Sequence, residues 1–213
     1  MLELTLALVL LITLSAVTMF GLSQWRSSES FTEAVWRFED TLRLTRAEAA
    51  FTGRRVRIVF EPIGDIDQLA YAPRIQWEPD PLAEPGVFAD YTATGWSDVV
   101  PGEELLILRS RLTGDSAYRT LLSEQLAGAE MADFEPVTFY PDGTSDSALF
   151  ELADPDPETT VRIIVLLDGR NNTITRYDTF EGESDQYVEA ALAGDSVQAL
   201  HDELYPPEEI DLP

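Results

Sequence analysis

Leu42-Arg43-Leu44-Thr45-Arg46-Ala47-Glu48-Ala49-Ala50-Phe51-Thr52-Gly53-Arg54-Arg55-Val56-Arg57-Ile58-Val59-Phe60 changes its period in the middle. Phe31, Ala34, Val35, Phe38, Leu42, Thr45 and Ala49 recur at intervals of three and four, the stripe of an amphipathic helix. On the opposite face Glu33 precedes Arg37, and Glu39 precedes Arg43, by four residues with the acid first, the favourable order. Gly53 stands where a helix needs its C′ residue. Beyond it Val56, Ile58 and Phe60 alternate with Arg55 and Arg57, the period of a half-buried strand.

Upstream of this junction nothing between Gly21 and Phe51 breaks a helix, since there is no Pro and a lone Gly is tolerated. Leu4 to Trp25 carries no charge, and as a helix it spans ~33 Å at ~1.5 Å per residue, enough to cross a hydrocarbon core. A cleavable signal peptide competes for this stretch, but it needs a basic start and a small-x-small exit. Met1-Leu2-Glu3 is acidic, and no such exit follows Phe20, so a retained single span is the better reading. One helix of about 50 residues, on the order of 75 Å, then runs from the membrane onto a soluble domain. Glu3 is the odd residue. A carboxylate carried to the bilayer centre costs ~2.5–3.5 kcal/mol and calls for a partner, whereas at the interface it simply favours the helix N-terminus.

Downstream the chain reads as β-rich. Arg74 to Glu78, Leu105 to Arg109, Val137 to Tyr140, Ala148 to Leu152, Val161 to Leu167 and Thr173 to Tyr177 are strand-like, with Asp142-Gly143 and Asp168-Gly169 as turn signals. The Pro-rich stretch from Glu61 to Gly102 reads as a surface excursion with one short strand. Asp115 caps a short helix through Gln125, with Leu121, Leu122 and Leu126 inward. From Glu181 on there are ten acids and no Arg; Asp185 to Leu204 reads as an amphipathic helix with Tyr187, Leu192 and Leu200 inward. The expected fold class is α+β: a long N-terminal helix packed on antiparallel strands. Its expected parts are 1–25 (membrane half of the helix), 26–53 (amphipathic half), 54–180 (β-rich domain) and 181–213 (acidic segment with a possible helix).

Charge and composition narrow the function. With 39 acidic residues against 14 basic ones, all Arg, the formal charge is −25, which repels nucleic-acid phosphates and gains nothing from anionic headgroups. The chain has no Cys, which removes disulfides, thiolate nucleophiles and Cys-ligated zinc. No phosphate-cradling loop, nucleophile elbow or dinucleotide fingerprint occurs. His201 reads as an ordinary surface or helix residue in an acidic tail. Asp142 and Asp146 have part of a calcium loop's spacing without its remaining ligands, and Asp154, Asp156 and Glu158 read as a solvated loop. Asn171-Asn172-Thr173 matches a glycosylation sequon that a two-residue turn also explains. No catalytic residue, metal site or cofactor is expected.

Met1-Leu2-Glu3-Leu4-Thr5-Leu6-Ala7-Leu8-Val9-Leu10 resembles the N-terminus of type IV pilins and type II secretion pseudopilins. Leu42 to Ala50, with its Arg46-Ala47-Glu48-Ala49 element, followed by Gly53 and the basic turn into Val56 to Phe60, is similar to H-type minor pseudopilins. So are Val137-Thr138-Phe139-Tyr140-Pro141-Asp142-Gly143 and the strands Val161 to Leu167 and Thr173 to Tyr177.

The resemblance implies that Glu3 is an assembly key, pairing with the N-terminal amine of a neighbouring subunit. It implies that Leu4, Leu6, Leu8, Leu10, Leu11, Leu14, Val17 and Phe20 form the membrane anchor and filament core. The leader, its Gly and the Phe-Thr pair of the family are not in this sequence, which places the family's cleavage point upstream of Met1. The implied function is a structural, non-enzymatic subunit of a secretion pseudopilus in the inner membrane, with its C-terminal domain in the periplasm. Its implied partners are other pseudopilins or pilins, a prepilin peptidase and membrane lipid. A minor type IV pilin is the near alternative, and a membrane-tethered periplasmic binding module or enzyme the distant one.

Overall fold

The computed structural model describes residues 30–63, 70–91, 104–114, 134–156 and 159–206. The expected span from Leu4 to Trp25 and the expected helix from Asp115 to Gln125 lie outside them. Among the described residues no helix is long and apolar enough to cross a membrane.

The stripe predicted for the first helix, α1 (described over 30–52), is its buried face. Ala34, Val35, Phe38, Thr45 and Ala49 are fully buried, with Phe31 and Leu42 nearly so. The two acid-first pairs form, Arg37 to Glu33 at 2.6 Å on the solvent side and Arg43 to Glu39 at 2.9 Å, with Glu39 itself buried at the edge of the stripe. Gly53 closes the helix at φ +66°, a left-handed conformation that costs a residue without Cβ little.

Two four-stranded antiparallel sheets follow. The first has the order β3-β2-β1-β5, with β1 (Val56–Ile63), β2 (Ala70–Trp77), β3 (Ala89–Asp90) and β5 (Val137–Phe139). The second has the order β4-β6-β7-β8, with β4 (Leu106–Leu112), β6 (Ala148–Ala153), β7 (Val161–Asp168) and β8 (Thr173–Phe180). The stretch from Glu61 to Gly102, read from its prolines as mostly loop, instead continues β1 to Ile63, supplies β2 and adds β3. The ladder runs from Val56↔Trp77 to Ile63↔Ala70 with Pro73 inside it. Pro73 is tolerated because β3 reaches only Gln76 and Trp77, which leaves β2 an edge strand at that point.

One apolar core joins α1 to both sheets, and Phe38 meets Phe150 edge-on at 5.1 Å at its centre. The C-terminal segment supplies the third layer. A single helix was expected from Asp185 to Leu204, but the chain makes two, α2 (Ser184–Ala193) and α3 (Val197–Leu204). Gly194 ends α2 at φ +78°, and the Ser196 side chain caps α3 by accepting from the Ala199 amide at 3.2 Å. Tyr187 is buried as expected and Leu200 packs against the same cluster, but Leu192, five residues on from Tyr187 in the same helix and so about 140° around its axis, faces solvent. The two helices cover the outer face of the second sheet, where Leu149, Ile164 and Tyr177 pack with Tyr187, Val188, Ala191 and Val197. All six residues of β6 are therefore buried. Ala148, Phe150 and Leu152 face the α1 side, and Leu149 faces α2 and α3.

Candidate functional site

The residues with chemistry to offer are engaged in turns and packing. In the turn after β5, Gly143 N donates to Tyr140 O at 3.0 Å, with Pro141 and Asp142 at the corners. Asp142 accepts from the Thr144 hydroxyl (2.7 Å) and amide (2.9 Å), and these two bonds hold its carboxyl below the usual range. Asp146 accepts from Thr138 N and the Tyr140 hydroxyl. Both carboxylates thus serve the hairpin. Asp154 accepts from Asp156 N at 2.8 Å, and Glu158 lies outside the described residues. Among the described residues no three His, Asp or Glu side chains are grouped to hold a metal ion. His201 Nδ1 is 2.8 Å from the Tyr187 hydroxyl, inside the contact between α2 and α3.

The sequon belongs to a turn of four residues (169–172), longer than the two expected, with Asn172 at φ +64°. Asp168 organises it by accepting from Arg170 N, Asn171 N and Asn171 Nδ2. Partial burial opposes its ionisation, but these three bonds prevail and lower its pKa.

The motif residues converge at the C-terminal end of α1. Arg46 Nε donates to the Gly143 carbonyl at 2.6 Å, and its Nη1 donates to the Asn172 carbonyl at 3.3 Å. One side chain thereby ties the helix to two hairpin turns, 97 and 126 residues away in sequence. Glu48 accepts the Tyr91 hydroxyl at 2.6 Å, and this bond raises the tyrosine pKa. Ala49 is buried in the core, whereas Ala47 faces outward. Gly169 closes the cluster: a Cβ there would lie 1.9 Å from the Ser145 carbonyl oxygen, so only glycine fits between the turns. Tyr91, Asn172 and Gly169 could not be assigned to this cluster from the sequence, because they are local turn or loop residues until the chain is folded. Of the residues the resemblance singled out, Glu3, Leu4, Leu6, Leu8, Leu10, Leu11, Leu14, Val17 and Phe20 lie outside the described part.

The remaining feature is the outward face of α1. Trp36 (54% exposed), Leu44 (50%) and Phe51 (90%) share it with Ala47. Their spacings of eight and seven residues place them along one side over about 22 Å. Arg176 lies 5.7 Å from the Trp36 ring and leaves most of the stripe open.

A family model described as type II transport protein GspH matches residues 34–169, from the first turns of the described α1 to the turn after β7. β8, α2 and α3 fall beyond that match. No curated protein and no solved structure matches the chain.

Proposed function

The chain belongs to the GspH family of type II transport proteins, the minor pseudopilins of type II secretion, and from that membership we propose that it is a subunit of a periplasmic pseudopilus, built by helix packing. The observation that carries this reading is the two-sidedness of α1. One face is sunk in the core, while the other presents Trp36, Leu44 and Phe51 to solvent. A monomer gains nothing from three large apolar side chains aligned on one helix face, whereas a helical neighbour would bury them. The family is a structural one, and the turn roles of Asp142, Asp146 and Asp168 accord with a scaffold rather than a reaction centre.

In this reading the residues before α1 extend the same helix. Leu4 to Phe20 anchors the subunit in the inner membrane and then enters the filament core. Glu3 sets the register, because its carboxylate in apolar surroundings is relieved only by a cation on the correctly placed neighbour. The partners are other pseudopilins, and a prepilin peptidase processes the precursor.

The test is genetic and biochemical. Deleting the chain from its host should reduce export of folded proteins to the medium, and the wild-type chain should restore it. Phe51→Glu, which keeps the fold, should fail to restore it. Unchanged export after deletion would sink the reading, and loss of surface pili in its place would favour the minor type IV pilin alternative.

A further inference from the structure

The fold treats the edges of its sheets unequally. In the first sheet β3 and Pro73 blunt the β2 edge. In the second sheet the β4 edge is covered. Glu135 N donates to Ser110 O at 2.9 Å, the Ser110 hydroxyl donates to Glu135 O at 3.0 Å, and Glu135 Oε2 accepts Leu112 N at 2.7 Å. The other edge of that sheet is β8, eight residues long. Glu181 N donates to Thr160 O at 2.9 Å, one step beyond the Val161↔Phe180 pair, and this bond fixes the phase of the β7–β8 ladder. By the alternation of an antiparallel pair, Thr173, Thr175, Tyr177 and Thr179 bond to β7, whereas Ile174, Arg176 and Asp178 turn their N–H and C=O groups away from it. Among the described residues no hydrogen bond reaches those outward main-chain groups. Such a row of unpaired donors and acceptors is a template for another strand.

The side chains of the same three residues lie on the α1 side of the sheet, as the packing of Ile174 against the shared core shows. There a groove of about 730 Å³ opens beside the edge, between the start of the described α1, the ends of β7 and β8, and α3. Phe31, Val161, Ile163 and Phe180 give it apolar walls. Asp154, Asp156 and Asp178 line it against one arginine, Arg176, whose Nε lies 3.4 Å from Asp178. Arg176 and Asp178 therefore belong both to the open edge and to the groove. β8 and α3 fall beyond residue 169, where the family match ends, so family membership does not assign this surface.

We propose that the β8 edge and this groove form one docking site for an extended, basic segment of a different protein, added to β8 as a further strand. On its groove face that segment alternates apolar residues with arginine or lysine. Main-chain bonds to Ile174, Arg176 and Asp178 supply the attachment, and the groove selects the alternate side chains. Apolar ones meet Phe31, Val161 and Phe180, and the cation meets the three aspartates. The same aspartates reject an acidic segment. A second copy is disfavoured by charge, since each chain carries −25 and two copies repel. The site goes beyond the filament reading and does not rest on it, because Leu44 and Phe51 take no part in it.

The probe is a peptide of eight residues, the length of β8, with leucine and arginine alternating on one face, threonine on the other, and blocked termini. It is added to the isotopically labelled full chain in detergent, and hydrogen exchange is read amide by amide. In the free chain the Arg176 and Asp178 amides should exchange fast between the slow amides of Thr175, Tyr177 and Thr179, and the peptide should slow them severalfold. Exchanging the peptide's arginines for glutamate, or N-methylating the amides that pair with β8, should abolish the effect. Asp178→Asn, at a side chain 67% exposed, should keep the fold and weaken peptide binding severalfold. No slowing at Arg176 and Asp178 with peptide in excess overturns the site, as does slowing that survives N-methylation, glutamate or Asp178→Asn. Slow exchange of those amides in the free chain overturns it too, and a slowing that grows with protein concentration gives the edge to a second copy. Each of these failures leaves the dependence of export on the chain untouched, and loss of that dependence removes the filament reading alone.

Discussion

Arg46 joins the helix to the strands through two carbonyl groups, and it is the residue most exposed to a conservative-looking error. Its guanidinium supplies a donor to each of two turns, a geometry that a lysine ammonium does not reproduce from one position. Arg46→Ala should lower stability by about 2 kcal/mol, as expected for charge-assisted bonds at a partly buried site, and Arg46→Lys should recover less than half. Urea denaturation checks both. Glu78 is the complementary case. The Arg55 hydrogen bonds hold its carboxyl below the ordinary glutamate range despite burial. A group with a depressed folded pKa contributes its full stability above the unfolded value and loses it as the pH falls through the folded one. The protein should therefore weaken as pH drops below the ordinary carboxylate range. In Glu78→Gln that part of the acid slope should disappear, at a neutral-pH cost of about 2 kcal/mol, reduced from a fully buried pair because Arg55 is partly solvated. Thermal melts across pH for the two chains read the difference.

At the level of elements, the hairpin ends are the least forgiving part of the fold. The turns after β5 and β7 press against each other at Gly169, where a Cβ would meet the Ser145 backbone at 1.9 Å. Neither side can relax as a flexible side chain would, so Gly169→Ala should cost about 3 kcal/mol or more and lower the melting temperature markedly. The outward face of α1 behaves in the opposite manner. Phe51 is 90% exposed, and Phe51→Glu should change the unfolding free energy by no more than about 0.5 kcal/mol while abolishing complementation of export. That split between stability and function is what a packing surface produces and a core residue does not.

Across the whole molecule the second sheet is the middle layer of three. α1 covers one face of it, and α2 with α3 covers the other through Tyr187, Val188, Ala191 and Val197. Tyr205, just past α3, donates to Glu183 at the head of α2, a bond that pushes its phenol up to about 12 and ties the two helices into one unit. Ending the chain at Gly182 should uncover Leu149, Ile164 and Tyr177 together. The truncated protein should bind a hydrophobic dye and aggregate, even though residues 34–169, the stretch matched by the family model, remain intact. Retention of a cooperative melt at the full-chain temperature would show that the third layer is dispensable.

What the sequence determined alone was whatever repeats within a few residues. The α1 stripe from Phe31 to Ala49, the Gly53 stop, the alternation in β1 and the turns at Asp142-Gly143 and Asp168-Gly169 are each encoded by a local period or a backbone preference, so they are legible in a window. The prolines between Glu61 and Gly102 misled, because a proline's cost in a strand depends on whether that strand has a partner at that point. Only the tertiary structure decided that Arg46 reaches Gly143 and Asn172, that Glu78 is buried against Arg55, and that β6 is covered on both faces. It also decided that the acidic C-terminal segment is a packed layer with a break at Gly194. Those outcomes depend on which surfaces the returning chain brings together, and contacts separated by 97 or 126 residues leave no periodic trace along the chain.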